Sequence, residues 1–324
     1  MTNFQVYRKT LSYSLLIFVI DLLALAIVGG CAAAGFFIMI NNSVELALVG
    51  LVIGLLIGII LSVLIKIFVT NRVRGAQIAM MAKGVTEGSL PDHTFKEGFN
   101  EIKGRFGKIT AFFFITNAIK GIFRQLGRTV NRIGTAVGGD TGNAITSAID
   151  SAIQTLIGYL CDCCLAWILF RKDENSAKAG CEGAVIFFKH GKTLFRNIGR
   201  IFGMGFLSFL LIGGLLGAGF YLIFTQFPQI FEPLSKALTQ AMTGEDGGLP
   251  PEIITNPAYL TIFVSAVLAI ILWSMLHSVL VRPFILVGVM RNFMAAGQKD
   301  MPKESDFAEL AHKSPRFAKL SQSF

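Results

Sequence analysis

The sequence predicts an all-α polytopic integral membrane protein, with about four transmembrane helices and long interfacial amphipathic helices on the cytoplasmic side. Composition is the first reason for this fold class. Hydrophobic residues make up 53% of the chain and charged residues only 15%, whereas a soluble domain carries about 25% charged residues. The second reason is that the apolar residues form continuous runs of about twenty residues or more, which is long enough to cross a bilayer.

The first two runs predict an N-terminal transmembrane hairpin over residues 1–69. The spans 11–40 and 44–69 are joined by a short polar turn, so they are predicted to be antiparallel neighbours. A secretory signal peptide is the alternative for the first run, because VGGC at 28–31 resembles a lipoprotein cleavage site. The run continues past that point and contains Asp21, which favours a retained helix.

Glycines spaced four residues apart mark one side of two predicted spans. A residue without a side chain lets another helix approach closely, so these rows predict helix–helix contacts within the chain or between copies. The predicted helix-packing residues are Gly50, Gly54, Gly58, Gly213 and Gly217.

Residues 70–200 are predicted to form a basic amphipathic and re-entrant region on the cytoplasmic side. In the segment 112–132, basic residues recur every four positions opposite apolar residues, a pattern typical of helices in a membrane interface. The segment 185–200 repeats it, and FRNIGR in this segment resembles FRQLGR at 123–128. The predicted contacts with anionic lipid headgroups are Lys120, Arg124, Arg128, Arg132, Lys189, Lys192, Arg196 and Arg200.

The segment 144–170 can be placed in more than one way. Residues 153–170 are apolar enough to cross the bilayer, yet Asp162 interrupts them. Crossing, re-entering and lying in the interface all stay open. Charge favours the last two, because a single extra crossing would put one of the flanking basic segments outside the cell.

Residues 201–294 are predicted to form a C-terminal transmembrane pair with an acidic outer loop at 227–256, and residues 295–324 a polar cytoplasmic tail. Basic residues outnumber acidic ones in 70–200, whereas Lys236 is the single basic residue of the outer loop. The positive-inside rule therefore predicts that both termini are cytoplasmic.

Ionisable residues inside the predicted spans form a candidate intramembrane polar cluster. Such residues are costly in lipid and usually face a partner or a water-filled cavity. An Asp21–Arg282 or Asp21–Lys66 pair is one interpretation, and the other is that Lys66 and Arg282 extend to the interface so that only Asp21 needs a partner. The cluster comprises Asp21, Lys66, His277 and Arg282.

The cysteines Cys161, Cys163, Cys164 and Cys181 allow three interpretations: a zinc site, juxtamembrane palmitoylation, and packing as small apolar residues. Packing is favoured, since the spacing lacks paired zinc knuckles. No catalytic motif is present, so no catalytic residue, metal or cofactor is predicted. The net charge of +9 is assigned to membrane topology rather than to nucleic acid, since no nucleic-acid-binding motif accompanies it.

The order of features from 161 to 224 resembles the C-terminal half of choline transporter-like membrane proteins. The matching features are CDCC at 161–164, Cys181, Arg196-Asn197 and LLIGG at 210–214. The resemblance implies a role in transporting choline or a related solute. It implies no particular binding residues.

The sequence predicts a transporter- or channel-like role for a small solute or a lipid-related molecule. The alternative is a non-catalytic membrane scaffold or accessory subunit that binds anionic lipid through its basic amphipathic helices. Because four spans rarely enclose a complete pathway, a homo-oligomer or a larger membrane complex is expected in either case.

Overall fold

The structure is a computed structural model that describes residues 1–106, 117–122, 142–195, 198–230, 232, 235 and 256–322. The described residues form helices and include no β-strand. The chain divides into two compact units. The core unit consists of Met1–Ser14, Arg72–Phe202 and Arg282–Phe324, and the span unit of Leu15–Asn71 and Gly203–Val281.

The helices are numbered in chain order. The N-terminal helices are α1 (Asn3–Lys9), α2 (Leu11–Ile40), α3 (Val44–Ile65), α4 (Asn71–Thr86) and α5 (Thr94–Phe106). The later helices are α6 (Gly142–Phe170), α7 (Ser176–Phe195), α8 (Ile198–Ser208), α9 (Gly214–Gln226), α10 (Pro257–Leu276), α11 (Arg282–Lys299), α12 (Glu304–Lys313) and α13 (Pro315–Ser321). Three π-helical turns cover Lys66–Thr70, Phe209–Gly213 and His277–Val281, and a 3₁₀ turn covers Pro228–Ile230. Residues 117–122 are also helical.

Polar side chains determine where several helices begin. The Ser43 hydroxyl accepts a hydrogen bond from the Leu46 N–H at the start of α3, and the Asn256 side chain accepts one from the Ala258 N–H at the start of α10. Each bond satisfies one of the backbone donors that a helix N-terminus leaves free. In lipid an unsatisfied donor is especially costly.

Among the described residues, four helical stretches are long and apolar enough to cross a membrane: Leu11–Ile40, Leu46–Thr86, Ile201–Gln226 and Ala258–Lys299. Only 11% to 22% of the residues in their apolar windows are buried within the protein. Large side chains such as Leu56, Leu215 and Phe263 are therefore exposed, as expected for surfaces that face lipid. The predicted fold class, an all-α polytopic membrane protein, is confirmed.

The predicted glycine rows lie between the two helices of each hairpin in the span unit. A Cβ on Gly54 of α3 would collide with the backbone of Cys31 in α2, and one on Gly58 would lie 2.7 Å from the Val28 Cα. Gly50 faces Gly35 of α2 in the same way. The α3 row therefore packs against α2 of the same chain.

The second glycine row faces α10. A Cβ on Gly217 would lie 3.7 Å from the Ala269 Cβ, and one on Gly213 would lie 3.6 Å from the Trp273 ring. These are ordinary van der Waals distances. The second row is thus packed less tightly than the first.

A π-helical turn directly precedes the proline of α11. Pro283 has no backbone N–H, and its ring conflicts with the carbonyl group four residues earlier. The turn His277–Val281 contains that residue, Val279. The extra residue per turn accommodates the proline without ending the helix.

The core unit has an interior of large buried side chains. Its largest fully buried residues include Trp167, Tyr13, Phe293 and Phe317. Helix α6 contributes a continuous buried stretch, in which every residue from Cys161 to Leu169 is buried. The segment that the sequence left between crossing and interfacial placements is therefore a central helix of this unit.

The cysteines belong to the same interior. Cys163, Cys164 and Cys181 have no exposed surface, and a Cβ on Gly183 would lie 2.9 Å from the Cys164 sulfur. Burial raises the pKa of the Cys161 and Cys181 thiols to about 12. All four thiols are thus protonated, enclosed packing groups, with no accessible sulfur for acylation.

Residues 295–322 fold back onto the core unit. Helices α12 and α13 pack against α7, and Leu310 and Phe317 are completely buried. The compact units therefore combine distant parts of the chain, whereas the division read from the sequence followed chain order. The units differ from the predicted domains because short apolar helix faces pack against partners far away in the chain. Such contacts cannot be predicted from the order of residues.

Candidate functional site

The candidate site is built around Asp162 in the core unit. Asp162 interrupts the apolar face of α6 and is only 9% exposed. A buried carboxylate needs a charged or hydrogen-bonding partner, because burial removes the water that would stabilise it. Helices α4 and α11 supply two such partners, Arg74 and Arg282.

Both arginines bind the same carboxylate oxygen. The Arg74 Nη2 donates to the Asp162 Oδ2 over 2.5 Å, and the Arg282 Nη2 donates to the same atom over 3.0 Å. The side chains of Arg74 and Arg282 remain 32% and 26% exposed, compared with 12% for Asp162. The carboxylate is therefore more enclosed than either arginine side chain.

Tyr159 forms one wall of the site. The Arg282 guanidinium carbon lies 5.4 Å from the centre of the Tyr159 ring, within the range of a cation–π interaction. Burial raises the pKa of the Tyr159 hydroxyl to about 12. Tyr159 is therefore neutral at physiological pH and leaves the charge of the site unchanged.

Chemically, this arrangement holds one more positive than negative charge. It presents planar N–H donors around one carboxylate. Such a site can hold an anion. Among the described residues no group of His, Cys, Asp and Glu side chains could hold a metal ion.

The four residues of the predicted intramembrane cluster have different surroundings. Arg282 pairs with Asp162 in the core unit. In the span unit, Asp21 interacts electrostatically with Lys66, while its Oδ1 atom is buried without a hydrogen-bond partner among the described residues. The His277 ring lies 5.5 Å from the Trp273 ring. The Asp21–Lys66 interpretation stays a prediction, and Arg282 pairs with a different carboxylate.

The predicted lipid-contact residues are described only in part. Lys120 is exposed, in the helical residues 117–122. The Lys189 ammonium lies 3.0 Å from both Asp300 Oδ2 and Asp306 Oδ2, so it is engaged within the protein. Arg124, Arg128, Arg132 and Arg196 lie outside the described residues, and for Lys192 and Arg200 the description is limited to a helical backbone.

A second buried carboxylate, that of Glu182, accepts hydrogen bonds inside the core unit. The Trp167 Nε1 donates to the Glu182 Oε2 over 2.9 Å, and the Arg171 Nε donates to the same oxygen over 3.2 Å. Glu182 is 4% exposed. These contacts join α6 to α7 and leave little accessible surface for a ligand, so we assign them to the fold.

Sequence reasoning missed Arg74 and Tyr159 and used Asp162 only as a break in an apolar run. The available signal was the lone acidic residue itself, since a carboxylate in an apolar helix requires a cation nearby. Its partners could not be found from spacing, because they lie 88 and 120 residues away.

No family model, curated protein sequence or solved structure matches this chain. The resemblance to choline transporter-like membrane proteins therefore stays a prediction.

Proposed function

We propose that this protein is a non-catalytic membrane scaffold or accessory subunit that binds anionic lipid through its basic core unit. The observation that carries the proposal is the separation of charge between the two units. Within the sequence ranges of the span unit the only basic residues are Lys66 and Lys236, so every arginine belongs to the ranges of the core unit.

The separation has a direct consequence at a membrane. A Lys or Arg near an anionic leaflet contributes about 1 kcal/mol to binding. The positive-inside rule then favours a cytoplasmic core unit with both termini in the cytoplasm. A reporter fused after Phe324 should be cytoplasmic, whereas one inserted into the loop 227–256 should be external; the reverse result would overturn this orientation.

Lipid preference tests the scaffold proposal. The protein would be placed in nanodiscs of phosphatidylcholine alone and of phosphatidylcholine mixed with phosphatidylglycerol, and its thermal unfolding compared. We expect a Tm higher by several degrees in the anionic discs. The difference should shrink at 1 M salt, where the screening length is about 3 Å. Equal Tm values in both lipids at low salt would contradict the proposal.

A transporter- or channel-like role is the second candidate, and one observation favours it. The Asp21 Oδ1 atom is buried in a span without a hydrogen-bond partner among the described residues. Intramembrane carboxylates of this kind occur in ion and proton pathways. The α3 glycine row is already occupied by α2, so a complete pathway formed by several copies would use other helix surfaces.

Asp21→Asn tests this second role. The variant and the wild type would be reconstituted into liposomes containing a pH-sensitive dye, and proton influx measured under a potassium diffusion potential. If the carboxyl carries protons, the wild type conducts and the variant loses most of the flux. Thr225→Val, which changes an exposed polar residue of a span, is the matched control. Absence of wild-type flux above empty liposomes would leave the scaffold as the better account.

A further inference from the structure

We infer that Arg74 and Arg282 form a fixed binding site for a phosphate group, which a phospholipid headgroup or a free phosphate ester can supply. The inference begins with the geometry at Asp162, where two guanidinium groups share one oxygen atom at 2.5 Å and 3.0 Å. A single bidentate arginine would already neutralise this carboxylate. The second arginine brings positive charge that Asp162 does not balance.

Each arginine has more N–H donors than the one that it uses at the cluster. A guanidinium carries five N–H groups in a rigid planar fork, and each arginine donates a single hydrogen bond at the cluster. The Arg282 Nε atom is buried and has no hydrogen-bond partner among the described residues. An anion with several acceptor oxygens, such as phosphate, matches this set of donors better than a second carboxylate does.

The net charge of the site also favours an anionic ligand. The two arginines and Asp162 together carry one net positive charge. Partly buried charge of one sign is unfavourable without a counter-ion. A bound phosphate would supply that counter-ion, and the arginine side chains are partly exposed, at 32% and 26%.

Chain position explains how a headgroup could reach the site. Arg282 is the first residue of its core-unit segment and directly follows the π-helical turn of a span. Arg74 is the third residue of the core-unit segment that continues from α3. Each arginine is therefore within about one helical turn of apolar sequence. The lipid source of the phosphate rests on the proposed function, whereas the phosphate site does not.

The first arm of the test measures phosphate binding in an uncharged maltoside detergent. Calorimetry would use inorganic phosphate and glycerol 3-phosphate as free ligands and a short-chain phosphatidic acid as the lipid ligand. Saturable binding of any of them supports the site. Binding of the lipid alone would identify a headgroup as the source, and binding of the small ions would identify a free phosphate ester.

The variants separate a ligand site from a structural clamp. Arg282→Gln leaves the Arg74–Asp162 pair intact, neutralises the cluster and should weaken phosphate binding about tenfold or more, the effect of losing charged hydrogen bonds. Asp162→Asn keeps the side-chain shape, removes the competing negative charge and should tighten binding several-fold. A clamp without a ligand predicts that Asp162→Asn lowers Tm and that neither variant changes phosphate affinity, which would overturn the inference.

Lys189→Gln is the control, since it removes a basic residue that is engaged elsewhere in the core unit. It should leave phosphate affinity unchanged. If the protein binds phosphate but shows no preference for anionic lipid in nanodiscs, the proposed function is wrong and the phosphate site stands. If the protein prefers anionic lipid but binds no phosphate, the phosphate site is wrong and the proposed function stands. If Arg282→Gln fails to fold, the rise in affinity expected for Asp162→Asn still decides the question.

Discussion

The core unit and the span unit achieve helix packing in different ways. In the core unit, large side chains such as Trp167 and Phe293 are fully buried, and buried carboxylates are paired with arginines. In the span unit the closest packing is between backbones, where Gly54 of α3 faces Cys31 of α2. Its large apolar side chains, including Leu215, point outward instead.

The two kinds of packing match what drives helices together in water and in lipid. In water, burying apolar surface drives helices together, so large side chains collect in an interior. In lipid the surroundings are as apolar as the side chains, so that driving force is absent and close van der Waals contact takes its place. One chain thus uses two kinds of packing, and each can be tested by a matched substitution.

The largest expected effect is on the tryptophan of the core unit. Trp167→Ala removes a fully buried ring and a donor to Glu182, and should destabilise the protein by about 3–5 kcal/mol. Trp273→Ala in the span unit removes a ring that is only partly buried, and should cost less than half as much. Thermal unfolding in a mild detergent, followed by circular dichroism, measures both. A larger loss of stability for Trp273→Ala than for Trp167→Ala would contradict the difference in packing between the two units.

A smaller effect is expected for a glycine of the span unit. A Cβ at Gly54 would lie 2.8 Å from the Cys31 carbonyl carbon and 3.1 Å from the Ala32 Cα, so Gly54→Ala should separate α2 from α3 and cost about 1–3 kcal/mol. Gly29→Ala in the same hairpin is the matched control, because nothing lies within 4 Å of its added Cβ.

The Gly29 substitution should be neutral or stabilise its helix by up to about 1 kcal/mol. A Trp167→Phe background leaves Trp273 as the single tryptophan, so its fluorescence reports unfolding of the span unit. Equal stabilities for the two alanine variants would mean that close backbone approach does not hold this hairpin together.

The smallest effect is expected at an exposed ion-pair cluster of the core unit. Hydrogen bonds to Asp306 and Asp300 raise the pKa of Lys189, and the Lys189 hydrogen bond lowers the pKa of Asp300. A hydrogen bond from the Lys303 backbone, followed by that from Lys189, lowers the pKa of Asp306. The three groups therefore favour their charged forms when the protein is folded.

The pH window follows from the directions of these shifts. The lowered carboxyl pKa values stabilise the fold above the ordinary value of about 4, and that contribution disappears as the pH falls through the lowered values. The raised Lys189 pKa stabilises the fold below the ordinary value of about 10.4 and ceases to do so as the pH rises through the raised value.

Lys189→Gln should accordingly lower Tm slightly between about pH 5 and pH 9, the region inside that window, and have no effect once both carboxyls are protonated. Lys299→Gln, which alters an exposed lysine nearby in the chain, is the control and should leave Tm unchanged across the range. A Tm difference that persists in strong acid would show that Lys189 contributes by packing rather than by charge.

Sequence patterns predict features that depend on neighbouring residues and leave open those that depend on distant ones. Glycine spacing indicates close helix approach, because residues four apart share one side of a helix. The basic stripe at 185–200 was interpreted as a lipid contact, yet Lys189 binds Asp300 and Asp306 from the C-terminal segment. A charge pattern defines a polar surface without specifying what neutralises it.

Asp162 illustrates the same limit at the candidate site. The sequence displayed a carboxylate within an apolar run, and burial physics required a partner for it. The partners Arg74 and Arg282 belong to helices far away in the chain. Only the packing of α4, α6 and α11 in one unit brings them to a single oxygen atom.

By itself, the sequence determined that the fold is all-α and that the described part of the chain has four helices able to cross a membrane. Length and hydropathy decide this, because a backbone in lipid must satisfy its own hydrogen bonds within each helix. The tertiary structure alone decided that residues 157–169 form a buried core helix, that the C-terminal helices fold onto α7, and that two arginines meet at Asp162. These features arise from contacts between distant segments, whose energies no local pattern encodes.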